Sequence, residues 1–200
     1  MSSLLSTLHQ LPDDELLLLA RRNAIGALSG DIAHDAGNAL FGILGLLELA
    51  SAGRAVDSER LDLLRSSASE LDAMLRPLLH FARGEPLSGS GDLAAATREA
   101  LVLYRRGERK DLRLDGAIPD APVSVACPPA LLLQAAVHLL LAATPRRRRL
   151  TVEVGPGRLR VAPADEGESI DTIAAERIAA GARGELTRDA DALVLALPGG

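Results

Sequence analysis

Ala33-His34-Asp35-Ala36-Gly37-Asn38-Ala39-Leu40 places a histidine, an acid and an amide within about one turn, inside a segment patterned as a long amphipathic helix. At about 100° per residue, Ile25, Leu28, Ile32, Ala36, Ala39, Ile43, Leu46 and Ala50 fall on one apolar stripe. With Ile32 as zero, His34 lies about 200° away and Asn38 about 40° further round. The helix is therefore expected to pack through its stripe while His34 faces solvent. A histidine in that position is available to react.

Outward from this stretch the chain divides into two parts. A helix is predicted to begin near Pro12-Asp13-Asp14-Glu15, where a proline and three acids suit an N-terminus, and to run to about Ser51. Gly53 is a stop signal, and Asp57 or Ser58 is placed to cap the next helix. That helix carries a heptad seam of Leu61, Leu64, Ala68, Leu71, Leu75, Leu78 and Ala82, interrupted by Pro77, which predicts a kink or disturbed last turns. Gly84-Glu85-Pro86 and Ser88-Gly89-Ser90-Gly91 form a linker. Two long helices joined by a short loop make an antiparallel hairpin. A lone hairpin leaves much apolar surface in water, so the expectation is a homodimer built around a four-helix bundle.

Beyond the linker the periodicity changes. Asp92 to Tyr104 and the very apolar Ala130 to Ala143 are predicted helices, the latter preceded by Pro128 and Pro129 and expected to be buried. Short alternating strands are predicted at Leu112–Leu114, Val123–Val125, Leu150–Val154 and Leu159–Val161, the last two separated by Gly155-Pro156-Gly157. A further helix covers about Ser169 to Ala180, followed by a hairpin from Glu185–Thr187 to Ala192–Leu197. This order describes an α/β sandwich, one mixed sheet with helices on one face, and the fold class is α+β. The domains expected are a helical hairpin at 1–86 and an α/β domain at 90–200.

Composition narrows the classes. Hydrophobic residues make up 48% of the 200 and aromatics only 2%, so the core is expected to rest on Leu, Ala and Val. A net charge of −5 argues against a nucleic-acid partner, because counterion release needs clustered Lys and Arg. The run Arg146 to Arg149 reads as a solvated entry to a strand. The lone Cys127 sits among Val123, Val125 and Ala126 and reads as a buried, inert thiol in a reducing compartment. No apolar stretch is long enough to span a bilayer and no signal segment opens the chain, so a soluble, cytoplasmic protein without a membrane partner is expected. His9 is expected to precede the first helix as an exposed, inert residue, and His80 to be an interfacial or helix-end residue.

The octapeptide, continued by Gly42-Ile43-Leu44-Gly45 and Leu49, resembles the H-box of sensor histidine kinases, where a helix-borne histidine is followed by an acid and, four positions on, by Asn or Thr. Their dimerising hairpin is similar to residues 14–84 and their ATP-binding domain to residues 90–198, the tail Gly184-Glu185-Leu186 to Leu197-Pro198 included. Gln134-Ala135-Ala136-Val137-His138-Leu139-Leu140-Leu141-Ala142-Ala143 looks like the kinase N-box, with His138 and Ala142 standing where two asparagines hold magnesium and phosphates. Asp165-Glu166-Gly167-Glu168-Ser169 is half of a glycine box, and the lid loop and second glycine box have no counterpart. The resemblance thus implies a degenerate Bergerat-like sandwich, with His138, Ala142, Asp165 and Gly167 as a vestigial nucleotide site and His138 as a partly buried filler. The combination is similar to bacterial histidine phosphotransferases, built like a kinase but without use of ATP.

That resemblance implies a phosphorelay in which His34 exchanges a phosphoryl group with aspartates of response-regulator receiver domains. Asp35 is placed to accept a hydrogen bond from the imidazole, and Asn38 to orient a water or phosphoryl oxygens. No cofactor is expected in the chain itself; the magnesium ion comes from the receiver, and no metal site is assigned here. Gly30, Gly37, Gly42 and Gly45 leave room for close docking beside His34, with Phe41 as an apolar anchor, although the same glycines also suit helix packing. A minimal ATP-dependent histidine kinase and a non-catalytic dimeric scaffold binding a response regulator are the alternatives. A metal-dependent phosphohydrolase needs further His and Asp ligands than His34-Asp35 supplies.

Overall fold

The computed structural model describes residues 2–53, 57–84, 88–105, 113–143, 149–164 and 167–200. Helix α1 (Ser2–Gln10) leads into α2 (Asp13–Ser51) and α3 (Ser58–Arg83). Then follow β1 (Gly91–Asp92), α4 (Leu93–Arg105), β2 (Arg113–Asp115), β3 (Ser124–Val125) and α5 (Pro129–Ala143). The chain closes with β4 (Arg149–Gly155), β5 (Arg158–Ala162), α6 (Ile170–Gly181), β6 (Glu185–Asp189) and β7 (Ala192–Ala196).

The long helices start and stop where the sequence signals them. Asp13, Asp14 and Glu15 occupy the first turn of α2, where the N-terminal dipole favours negative charge. Beyond its C-terminus Gly53 takes φ +75, the left-handed region open to glycine. Asp57 caps α3, its Oδ1 accepting from Arg60 N at 2.9 Å. Gly84 ends that helix at φ +69, and a Cβ there would also meet the Arg21 guanidinium. Pro77 does not end α3, which continues through it to Arg83; the ring is buried between Met74 and Phe81, so packing compensates the lost hydrogen bond.

Helix α1 is not legible from the pattern, and its presence corrects the placing of His9 ahead of any helix. Nine residues rarely hold a helix alone in water. Leu8 joins Leu16 of α2 and Ile173 of α6 in a small buried cluster, with Leu5, Leu11 and Ile170 packed on it, and that contact supplies the missing stability.

The main sheet is mixed, in the order β2-β4-β5-β7-β6. Strands β2 and β4 run parallel, and every other neighbouring pair is antiparallel. Strands β1 and β3 form a separate antiparallel ribbon, so the predicted single sheet is a sheet plus a ribbon. Leu150, Val152, Val154, Leu159, Val161, Leu193 and Leu195 are buried on the sheet, which packs against α4, α5 and α6. The opposite face carries Glu153 paired across to Arg160 at 3.6 Å, a solvated surface. Helix α5 is buried on nearly every side, as its unbroken apolar run predicts.

Apart from the small cluster at Leu8, the core is one contiguous body. Ala24, Leu28 and Ile32 of α2 and Met74 and Phe81 of α3 belong to the same buried cluster as Leu132, Leu139, Val161, Ile178 and Leu195. Two details differ from the heptad reading. On α3 the buried face is Met74, Pro77 and Phe81, whereas Leu61 and Leu75 of the seam are exposed and Leu64, Leu71 and Leu78 half-buried. On α2, Leu28, Ile32 and Ala36 of the stripe are buried, and burial then continues towards the N-terminus in steps of four through Ala24, Ala20 and Leu16. The physical reason is that α2 turns its face towards α5 and α6, and α3 towards α4 and α5, as well as towards each other. Cys127 is fully buried, and burial pushes its thiol up to about 11, so it stays protonated and inert.

Asp92 ties the ribbon to α4. Burial opposes its charge, but Oδ1 accepts from Val123 N at 2.9 Å and Ala94 N at 3.0 Å. Together with a bond from Ala95 N and the Arg98 charge, these hold the carboxyl below its ordinary value. A group whose pKa falls on folding stabilises above its unfolded value and loses that contribution as pH falls through the folded one. Acid titration from about pH 4 downward should therefore destabilise the parent chain more than Asp92→Asn, measured by urea midpoints at each pH.

Candidate functional site

His34 lies on α2 between Ile32 and Ala36, which are 2% and 8% exposed, while its own side chain is 74% exposed. The helix is thus pinned beneath the residue whose ring it presents to solvent. Asp35 is largely covered, at 17%, and its Oδ1 lies 3.5 Å from His34 Nδ1. Asn38, one turn on, brings Nδ2 to 3.4 Å from the same nitrogen. Both neighbours therefore address Nδ1, and Nε2 points away from them. A carboxylate only accepts and needs the proton on Nδ1, whereas the Asn38 amide nitrogen only donates and needs Nδ1 bare, so the two contacts select opposite tautomers. The one set by Asp35 leaves the lone pair on Nε2. The three residues singled out in the octapeptide are together in space, at distances that a bound partner can tighten.

Around them the surface is open. A Cβ on Gly30, Gly37 or Gly45 would meet no atom within 4 Å, and one on Gly42 would touch only Ser67 Oγ at 3.8 Å. Packing within the chain therefore requires none of these glycines. Phe41 is 76% exposed, and Leu40, Leu44 and Leu47 are also exposed. The four glycines cost helix stability, roughly 0.5–1 kcal/mol each, and among the described residues no close contact needs them.

The residues of the second group lie elsewhere. His138 is fully buried, which corrects the expectation of partial burial. Its Nδ1 lies 2.8 Å from Asp171 Oδ1 of α6, a partner that nothing in the sequence flags, and Nε2 has none among the described residues. Phe81 of α3 meets the imidazole edge-on at 6.1 Å between ring centres. Ala142 is 7% exposed and offers no polar atom, whereas Gly167 is exposed. Asp165 lies outside the described residues, as do Arg146, Arg147 and Arg148 of the basic run; Arg149 opens β4 and pairs with Asp115 at 3.0 Å.

The remaining histidines join parts of the chain. His9 Nε2 lies 2.9 Å from Glu168 Oε1, so the residue expected to be inert links α1 to the segment before α6. His80 Nδ1 lies 2.9 Å from Glu99 Oε1, linking α3 to α4 as an interfacial residue. Arg177 of α6 pairs with Asp13 and donates to the His9 carbonyl at 2.9 Å. Among the described residues no group of three or more His, Cys, Asp or Glu is arranged to hold a metal, and no helix is long and apolar enough to cross a membrane.

No family model matches the chain, and no curated protein matches it. Among solved structures it is similar to the Acinetobacter baumannii histidine kinase AdeS, at 12% identity and a TM-score of 0.40, over 82% of this chain and 97% of that one. A histidine kinase from Burkholderia phymatum STM815 matches at 14% identity and a TM-score of 0.35, over 84% and 98%. The histidine kinase domain of the blue-light activated kinase from Erythrobacter litoralis EL346 matches at 16% and 0.35, over 80% and 95%.

Proposed function

We propose that the chain is a histidine phosphotransferase relaying a phosphoryl group between His34 and the aspartate of response-regulator receiver domains, without using ATP. The observation that carries this reading is the 74% exposed His34 on a pinned helix, with Asp35 and Asn38 both at Nδ1. In the forward step the Nε2 lone pair attacks phosphorus of the receiver's aspartyl phosphate. The P–O bond to the aspartyl carbonyl breaks, and the carboxylate leaves with that electron pair. The proton on Nδ1 stays with the ring, held towards Asp35, and the reverse step returns the group to a carboxylate. Transfer of this kind asks mainly for positioning and charge neutralisation, so an exposed helix face suffices. The divalent cation is assigned to the receiver partner.

Two further features support the reading. At the positions where the resemblance expects metal-binding asparagines, His138 is sealed beside Asp171 and Phe81, and Ala142 is apolar. Leu71, Leu75 and Leu79 of α3 line a concavity of about 680 Å³, rimmed by Asp72, Arg76 and Arg83, and a second copy of the chain in a four-helix bundle would cover these leucines. The glycine-flanked surface at Gly30, Gly37, Phe41, Gly42 and Gly45 is then the receiver's docking face.

The test is to incubate the chain separately with a labelled phospho-receiver and with labelled ATP and magnesium. Label from the receiver alone is expected; label from ATP alone establishes the kinase alternative, and label from neither leaves the scaffold. Asp35→Asn, which keeps the shape and removes the charge, is expected to slow transfer from the receiver by roughly 10²-fold, read in a quenched time course.

A further inference from the structure

We infer that the α/β part is clamped to the hairpin in one fixed arrangement, held by a shared apolar core, so that α2 beneath His34 moves with the sheet as a single body. Contacts between parts of one chain are mobile by default unless the interface is large and hydrophobic. Here its centre is hydrophobic and its ion pairs lie at the edge. Ala24, Leu28 and Ile32 from α2 and Met74 and Phe81 from α3 are each 3% exposed or less, and all lie in the cluster that contains the interior of α5 and the sheet. No polar layer separates the two parts at these residues.

The contacts also lock direction. Phe81 sits edge-on against the ring of His138, whose Nδ1 is tied to Asp171, so one aromatic from α3 touches a side chain already fixed between α5 and α6. Sliding α3 along α5 would break that packing and expose an imidazole that has no exposed surface. Separate ties lie at the periphery. Arg177 holds Asp13 and the His9 carbonyl, His9 meets Glu168, and His80 meets Glu99. His9 and Glu168 are 44% and 41% exposed, so that tie is screened and weak, and the core carries the clamp.

The consequence is specific. The α/β part neither swings towards His34 nor away from it; it acts as an abutment that fixes the helix register at Ala24, Leu28 and Ile32. This holds whether or not His34 accepts a phosphoryl group, so its failure and that of the phosphotransfer reading are separable.

The test is a distance measurement in the full chain. Ser66→Cys on α3 and Glu185→Cys on β6 place spin labels at exposed positions on the two parts, and the buried Cys127 is left unlabelled. The labelled chain is diluted with unlabelled chain so that only distances within a protomer are read by pulsed dipolar spectroscopy. One narrow distance distribution is expected, with no shift between 0.1 and 1 M sodium chloride. Two populations, or a distribution broader than the labels' own flexibility, overturn the clamp. Broadening only at high salt overturns it too, because the exposed ion pairs and not the core would then be holding the parts together. As a second measurement, amide exchange in the 24–32 stretch of α2, which carries Ala24, Leu28 and Ile32, is expected to match that of α5. Exchange at least 100-fold faster in α2 overturns the shared core.

Discussion

His34→Ala is expected to take up no label from a phosphorylated receiver, a loss of at least about 10³-fold, while folding as the parent does. Alanine has no nucleophile, and no other imidazole is placed to substitute. His138 is sealed in the core, and His9 and His80 are engaged by Glu168 and Glu99. Because the His34 side chain is 74% exposed and its ring contacts are long, its removal should leave stability within about 0.5 kcal/mol of the parent. The two readouts together separate chemistry from folding. Retention of label by a well-folded His34→Ala chain would remove His34 as the acceptor and the proposed function with it. Unchanged binding of the receiver alongside lost label is the expected signature of a residue that reacts and does not anchor.

The largest effect on stability is expected at Phe81. Its ring is 1% exposed and joins α3 to His138, so Phe81→Ala should cost about 3–5 kcal/mol, read as a lower urea midpoint. That is a large share of the roughly 5–15 kcal/mol by which a domain is normally stable. Phe41 is the internal control. It is the other phenylalanine of the chain, and at 76% exposure Phe41→Ala should change stability by less than about 0.5 kcal/mol. If Phe41 anchors a receiver, the same substitution weakens receiver binding without touching the midpoint. Equal losses of stability in the two variants would contradict the burial assigned to each.

Much of the architecture follows from local rules that act over a few residues. Acids at 13–15, Asp57 as a cap and Gly84 as a left-handed terminus each satisfy or end a helix by contacts within one turn, so they are readable in one dimension. Strand β4 alternates buried with more exposed positions, which period two announces. The stripe through Leu28, Ile32 and Ala36 likewise foretells that His34 faces out. The misses share one cause. Helix α1, the pairing of His138 with Asp171 and the choice of Met74, Pro77 and Phe81 over the leucine seam all depend on residues far apart in the chain.

By itself, then, the amino-acid order determined the helices and strands other than α1 and β1, the exposure of His34, and the presence of Asp35 and Asn38 beside it, because periodicity and capping are local properties. Tertiary structure alone decided which face of α3 turns inward, that His138 is sealed between Asp171 and Phe81, and that hairpin and sheet share one core. Those outcomes are set by which surfaces meet, and a heptad of leucines is equally satisfied by a neighbour in the same chain or in another. The apolar pattern names the residues that must leave water; only the packed chain says against what.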